Sequence, residues 1–273
     1  MKPVAFDYAR PTSLSQALAM LAGNTGAKVL AGGQTLGPML NLRLAQPQLL
    51  VDITRIEELA AATEDADSVT IGAIVTHAAI EDGRAPDPTG GFMRAVARGI
   101  AYRAVRTRGT IGGSLAHADP AADWLACLSA LGADALIAGA SGTRAVPVAG
   151  FVRGAMETAL GEHELLAAVR IPKFSSAARF GFHKICRKVG EFADAIGVAV
   201  HEPARQLTRI VSSTPAAGPI VIDAPDLQPG RGQLPDAAEL QRRLVSAGLP
   251  GDAYETRLNA VAVRRALQDI GAP

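Results

Sequence analysis

Two stretches of the chain carry residue types suited to holding an anion: "LAGGQTLGPML" at 30–40 and "RGTIGGSLAHADPAADW" at 108–124. Each sets a Gly-Gly pair beside hydroxyl groups, Gly32-Gly33 with Thr35, and Gly112-Gly113 with Thr110 and Ser114. Glycine has no Cβ, so its backbone accepts positive φ and comes close to a ligand. Successive amides in such a bend form a concave anion site, and a helix that starts just after it adds free N–H groups. Two bends of this kind fit the two phosphoryl groups of a dinucleotide. Each also fits an ordinary strand-to-helix turn. The sequence has no G-x-G-x-x-G in a βαβ setting and no G-x-x-x-x-G-K-S/T, so a nucleotide would be held on a different fold.

The elements around the bends follow from periodicity. "SLSQALAMLA" reads as a helix opened by Thr12 or Ser13, with Leu14, Ala17, Leu18 and Leu21 at helical spacing. "AKVLAGG" is a short buried strand running into the first bend, and "PMLNLRLAQPQ" is a short helix after it. "QLLVDITRI" and "SVTIG" read as strands, and Thr76 opens another helix. The segment 91–109 reads as one helix, unusually basic with Arg94, Arg98, Arg103, Arg106 and Arg108. It is either a solvated face or a contributor beside a phosphate. After the second bend "PAADWLACLSALGA" is a helix, and "DALIAGASGTRAVPVAGF" is a hairpin turning at Ser141-Gly142. "HELLAAVRIPKF" is a strand, a further strand-rich unit follows, and two helices close the chain. The order is neither a clean βαβα alternation nor all-β, which makes the fold class α+β.

Composition bounds the function. The chain has 273 residues, is 48% hydrophobic and 19% charged, and carries a formal net charge of +1. It has no basic field to favour nucleic acid. No apolar run approaches the roughly 18 residues of a membrane-spanning helix, and the N-terminus lacks a secretory h-region. These features point to a cytoplasmic protein without membrane insertion. Cys127 and Cys186 are the two cysteines, too few for an iron–sulfur cluster, which takes about four thiolates. Neither a metal site nor a catalytic residue is expected in this chain. His77, His163 and His201 read as surface or satisfied polar residues.

"AGGQT" at 31–35 and "TIGGSLAHADPAAD" at 110–123 resemble the two signatures of the FAD-binding medium subunit of molybdenum hydroxylases, of the carbon monoxide dehydrogenase and xanthine dehydrogenase type. The resemblance extends through "FDYARPTSLSQAL", "GEHELLAAVRIP" and "FHKICRKVGEFADAIG" to nearly the whole chain. It implies a PCMH-type FAD-binding fold of two lobes, residues 1–56 and 57–172, with FAD between them. A C-terminal domain over 173–273 would hold a three-stranded antiparallel sheet and a helical bundle. The implied cofactor-binding residues are Ala31, Gly32, Gly33, Gln34 and Thr35 with Leu30 and Leu36 flanking, and Thr110, Ile111, Gly112, Gly113 and Ser114. Asp123, Leu166 and Lys184 complete the set. Each of these three has a plainer reading: Asp123 as a helix cap, Leu166 as core, Lys184 as an exposed strand residue. The same resemblance implies two partners, a large molybdopterin subunit and a small subunit with 2Fe–2S clusters, in a dimer of heterotrimers. In that relay FAD passes electrons to an external acceptor. A free-standing FAD-dependent oxidoreductase and a non-catalytic nucleotide-binding module are the alternatives.

Overall fold

The computed structural model describes residues 1–227 and 234–271. The first unit alternates β1 (Asp7–Ala9), α1 (Leu14–Ala22), β2 (Lys28–Leu30), α2 (Leu36–Asn41), β3 (Leu49–Asp52) and α3 (Glu57–Ala60). Its three strands are parallel in the order β1-β3-β2. The Ser13 side chain caps α1 by accepting from the Gln16 amide, as its residue type favours. Ala17 and Leu21 turn inward onto Val51, Ile53 and Ile56.

The second unit runs β4 (Ala62–Glu64), β5 (Ser68–Gly72), α4 (His77–Glu81), α5 (Phe92–Gly99), α6 (Arg103–Arg106), α7 (Ile111–His117) and α8 (Asp123–Ala130). It continues with β6 (Asp134–Gly139), β7 (Gly142–Pro147), α9 (Val148–Phe151), β8 (Val152–Gly154), β9 (Glu157–Thr158) and β10 (Leu165–Pro172). Five strands form an antiparallel sheet, β4-β5-β10-β6-β7. The expected single basic helix is two short ones. The chain breaks at Ala101, whose φ is +43°, a conformation no helix interior accommodates.

Beyond Pro172 come β11 (Arg179–Ile185), β12 (Ala195–Glu202), β13 (Leu207–Thr214), β14 (Ala217–Asp223), α10 (Ala237–Ser246) and α11 (Ala253–Gly271). The sheet is antiparallel with four strands, where three were expected. The added strand is β14, which holds Pro219. Proline cannot donate to a ladder, and an edge position tolerates it; β14 lies at that edge. In place of a helical bundle, α10 and α11 cover one face of this sheet. A Cβ on Gly197 would stand 2.3 Å from the backbone of Ala262 and Val263. Glycine there lets α11 lie directly on β12.

The other face of the sheet receives α8, all eight residues of which are buried. A helix apolar nearly all round belongs in an interior. Trp124, Leu125 and Leu128 share one cluster with Val198, Val200 and Val211 of the C-terminal sheet and with Ile137 and Val169 of the middle sheet. This core fixes α8, and with it Asp123 at the first turn, against all surrounding layers.

Candidate functional site

The first bend leaves β2 at Leu30 and enters α2 at Leu36. Gly33 has φ +70°, which glycine adopts at little cost. Among the described residues, the amides of Gly32, Gly33, Gln34 and Thr35 donate to no protein acceptor. The Thr35 hydroxyl makes no capping bond either. The first bend is therefore a set of unspent donors.

The second bend is built differently. Thr110 is the N-cap of α7, and its Oγ1 accepts from the Gly113 amide at 3.0 Å. The amides of Ile111, Gly112 and Ser114 donate to the carbonyls of Val75, Ala73 and Thr110. The expectation that both bends offer amides holds for the first alone. A hydroxyl that accepts one bond keeps its own proton to donate, so what this bend offers is the hydroxyls of Thr110 and Ser114. Gly112 is needed for packing: a Cβ there would lie 2.4 Å from that of Ala73.

The two bends meet. A Cβ on Gly32 would stand 2.0 Å from the carbonyl oxygen of Arg108 and 2.9 Å from the Cα of Gly109. A Cβ on Gly113 would lie 3.8 Å from that of Ala31. Both bends line one cleft of about 460 Å³. Of the residues expected from the sequence, Ala31, Gly32, Gly33, Gln34, Thr35 and Leu36 border it from one side. Thr110, Gly112, Gly113 and Ser114 border it from another, with Asp123, Leu166 and Lys184 completing the wall. Leu30 and Ile111 do not border it. Leu30 lies beneath the bend, its Cδ1 3.2 Å from a Gly33 Cβ position, and Ile111 is wholly buried in the core.

Asp123 is not a cap, because the N-cap of α8 is Ala122. Its carboxylate instead takes both oxygens to the Lys184 ammonium, at 3.0 and 3.1 Å. Burial pushes the Asp123 carboxyl up, and the Lys184 charge opposes that shift. Lys184 is not an exposed strand residue: only 11% of its side chain is accessible. Leu166 is both core and cleft wall. The ladder between β10 and β6 shifts register between Leu166 and Ala168, and the displaced Ala167 carbonyl accepts from the amide of Ala73, the residue under Gly112. Such a bulge ends regular pairing where a strand meets a site.

No arginine of the basic segment borders the cleft, and two of them are spent on neighbours. Arg103 binds Glu81 and Asp82, and Arg106 binds Glu81 and the carbonyls of Ile100 and Ala101. His201 bonds Thr208, whereas among the described residues the buried Nδ1 of His163 has no partner. Two residues that sequence reasoning left aside also border the cleft, His77 and Phe192. Phe192 is 64% exposed at the mouth. Its loop is held there by Gly190, where a Cβ would lie 2.9 Å from the Ala101 carbonyl. A lone exposed aromatic gives no signal in a single sequence.

A cleft with unspent amides, hydroxyls and an apolar wall suits a phosphate-bearing cofactor with a large apolar ring system. A sequence profile described as the FAD binding domain in molybdopterin dehydrogenase matches residues 4–174. The chain is 40% identical over 207 residues to the carbon monoxide dehydrogenase medium chain of Hydrogenophaga pseudoflava, covering 73% of this chain and 70% of that one. It is 39% identical over 202 residues to the caffeine dehydrogenase subunit beta of Pseudomonas sp. (strain CBB1), covering 73% and 68%. Its fold matches a chain of carbon monoxide dehydrogenase from Hydrogenophaga pseudoflava with a TM-score of 0.84 and 31% identity, over 99% of this chain and 98% of that one. Among the described residues no group of three or more His, Cys, Asp or Glu is placed to hold a metal. No described helix is long and apolar enough to cross a membrane.

Proposed function

Because this chain belongs to the family of FAD-binding domains in molybdopterin dehydrogenases, we propose that it carries electrons between partner subunits and an external acceptor. The chain is an FAD-binding oxidoreductase subunit. Its partners in this reading are a large molybdopterin subunit and a small 2Fe–2S subunit, assembled as a dimer of heterotrimers. The substrate, an N-heterocycle, aldehyde, purine or carbon monoxide, binds in the large subunit. Relatives named for carbon monoxide and caffeine support that range. A cytoplasmic setting belongs to the same reading and accords with two free cysteines.

The observation that carries the reading is the contact of Gly32 with Arg108 and Gly109, which brings the two bends to one place. The amides of Gly32 to Thr35 would hold one side of the FAD diphosphate, and the hydroxyls of Thr110 and Ser114 the other. Asp123 and Lys184 place a neutralised polar pair on the wall, while Leu36 and Leu166 give apolar surface. FAD supplies the redox chemistry, and the chain supplies position and electrostatics. No side chain here is asked to act as nucleophile or general base.

The test is co-purification. Tagging this chain in its native host should bring down a large molybdopterin subunit and a small iron–sulfur subunit, with one flavin per copy of this chain. A flavin-bearing chain that purifies alone and turns over substrate would replace this reading with the free-standing oxidoreductase. A colourless chain would replace it with the binding module.

A further inference from the structure

His77 lies where the two bends meet. It follows the Thr76 cap at the start of α4, and its amide donates to the Gly109 carbonyl at 2.9 Å. The side chain is buried at 5% exposure yet borders the cleft. Its Nδ1 accepts from the Trp124 indole N–H at 3.0 Å. An indole nitrogen only donates, so this bond requires a bare Nδ1 and places the proton of the neutral ring on Nε2. The Cδ2–Nε2 edge is 2.9 Å from the place a Cβ on Gly109 would occupy. Gly109 in turn is the residue whose Cα meets Gly32. Among the described residues Nε2 donates to no protein acceptor.

We propose that His77 is a further cofactor-binding residue whose Nε2–H donates to an oxygen of the FAD diphosphate, with Trp124 as the positioning residue that fixes the tautomer. The inference rests on the reading that the cleft takes FAD. Burial, together with the nearby Arg106 charge, lowers the imidazole pKa to about 4. The ring is thus a neutral donor throughout the physiological range. Trp124 follows Asp123 on the fully buried α8, so the same helix that places the ion pair also aims the imidazole.

The experiment uses the full chain labelled with 15N-histidine and titrated with FAD. Before FAD is added, His77 should show a bare Nδ1 and a protonated Nε2. At saturation the Nε2 resonance should move with the 31P signals of the diphosphate. An Nδ1–H tautomer, or an Nε2 resonance unmoved at saturation, overturns the proposal. His77→Phe should weaken FAD binding about tenfold or more, the size of one hydrogen bond to a charged acceptor. His77→Gln retains an N–H and should stay within a few-fold of wild type. Trp124→Phe should weaken FAD in the wild-type background and add nothing to His77→Phe. Should His77→Phe fail to fold, the wild-type titration still decides. Failure of the wild-type chain to take FAD at all would instead refute the reading beneath this inference.

Discussion

Replacing Gly32 by alanine tests the meeting of the bends with a single methyl group. The new Cβ would stand 2.0 Å from the Arg108 carbonyl oxygen, against 3.4 Å for ordinary contact. The bends must then part by about 1.4 Å. Gly32 has no positive φ, so the penalty is steric and not torsional. Forcing extra volume into a packed contact costs about 1–3 kcal/mol. Parting the bends by that much also exceeds the tolerance of hydrogen bonds made at about 2.7–3.2 Å. Losing one bond to a charged phosphoryl oxygen costs about 1.5–3 kcal/mol, so FAD binding should weaken at least about tenfold. Gly37→Ala is the control. It lies a few residues on, inside α2, with nothing within 4 Å of its Cβ position, and alanine is favoured in a helix by up to about 1 kcal/mol. Isothermal titration of each variant with FAD, beside denaturant unfolding, gives both quantities. Wild-type affinity in Gly32→Ala, or an equal loss in Gly37→Ala, would refute the reasoning.

Gly112→Ala should act on folding first, because its Cβ would strike Ala73 at 2.4 Å; the urea midpoint should fall by the equivalent of about 1–3 kcal/mol. Asp123→Asn leaves the Lys184 ammonium buried without its counter-charge and should cost about 3–5 kcal/mol. The double change Asp123→Asn with Lys184→Met should recover much of that stability in the same unfolding assay while FAD affinity stays low. His77 gives a pH dependence. In the folded chain it stays neutral down to about pH 4, whereas unfolded it takes up a proton near its ordinary value of 6.5. The unfolded state then binds more protons between those values, so stability falls as pH drops from 6.5 to 4. This one group contributes about 3 kcal/mol of that loss. Unfolding of His77→Gln across this range should show a flatter slope than wild type; an identical slope would contradict the assignment.

Much of the framework was legible in the sequence because it is local. Ser13 and Thr76 are caps where their residue types and the following apolar spacing put them. The first glycine bend has the positive φ at Gly33 that its type suggests. What could not be read depends on partners far along the chain. Asp123 finds Lys184 and His77 finds Trp124 only after the layers pack. The basic stretch could be read either as a solvated face or as a contributor beside a phosphate because Glu81 and Asp82, which neutralise Arg103 and Arg106, lie in an earlier element. Gly112 borders the cleft and also packs on Ala73 at the end of a strand, a close approach that only the folded chain reveals. The three-stranded sheet was what the family resemblance implied; β14 adds a fourth strand at the edge, where Pro219 is tolerated.

The most direct test of the whole account is the crystal structure of the chain with FAD bound. The diphosphate should lie within hydrogen-bonding distance of the amides between Gly32 and Thr35 and of the hydroxyls of Thr110 and Ser114. A dinucleotide seated elsewhere, or a diphosphate turned to solvent away from both bends, would contradict it.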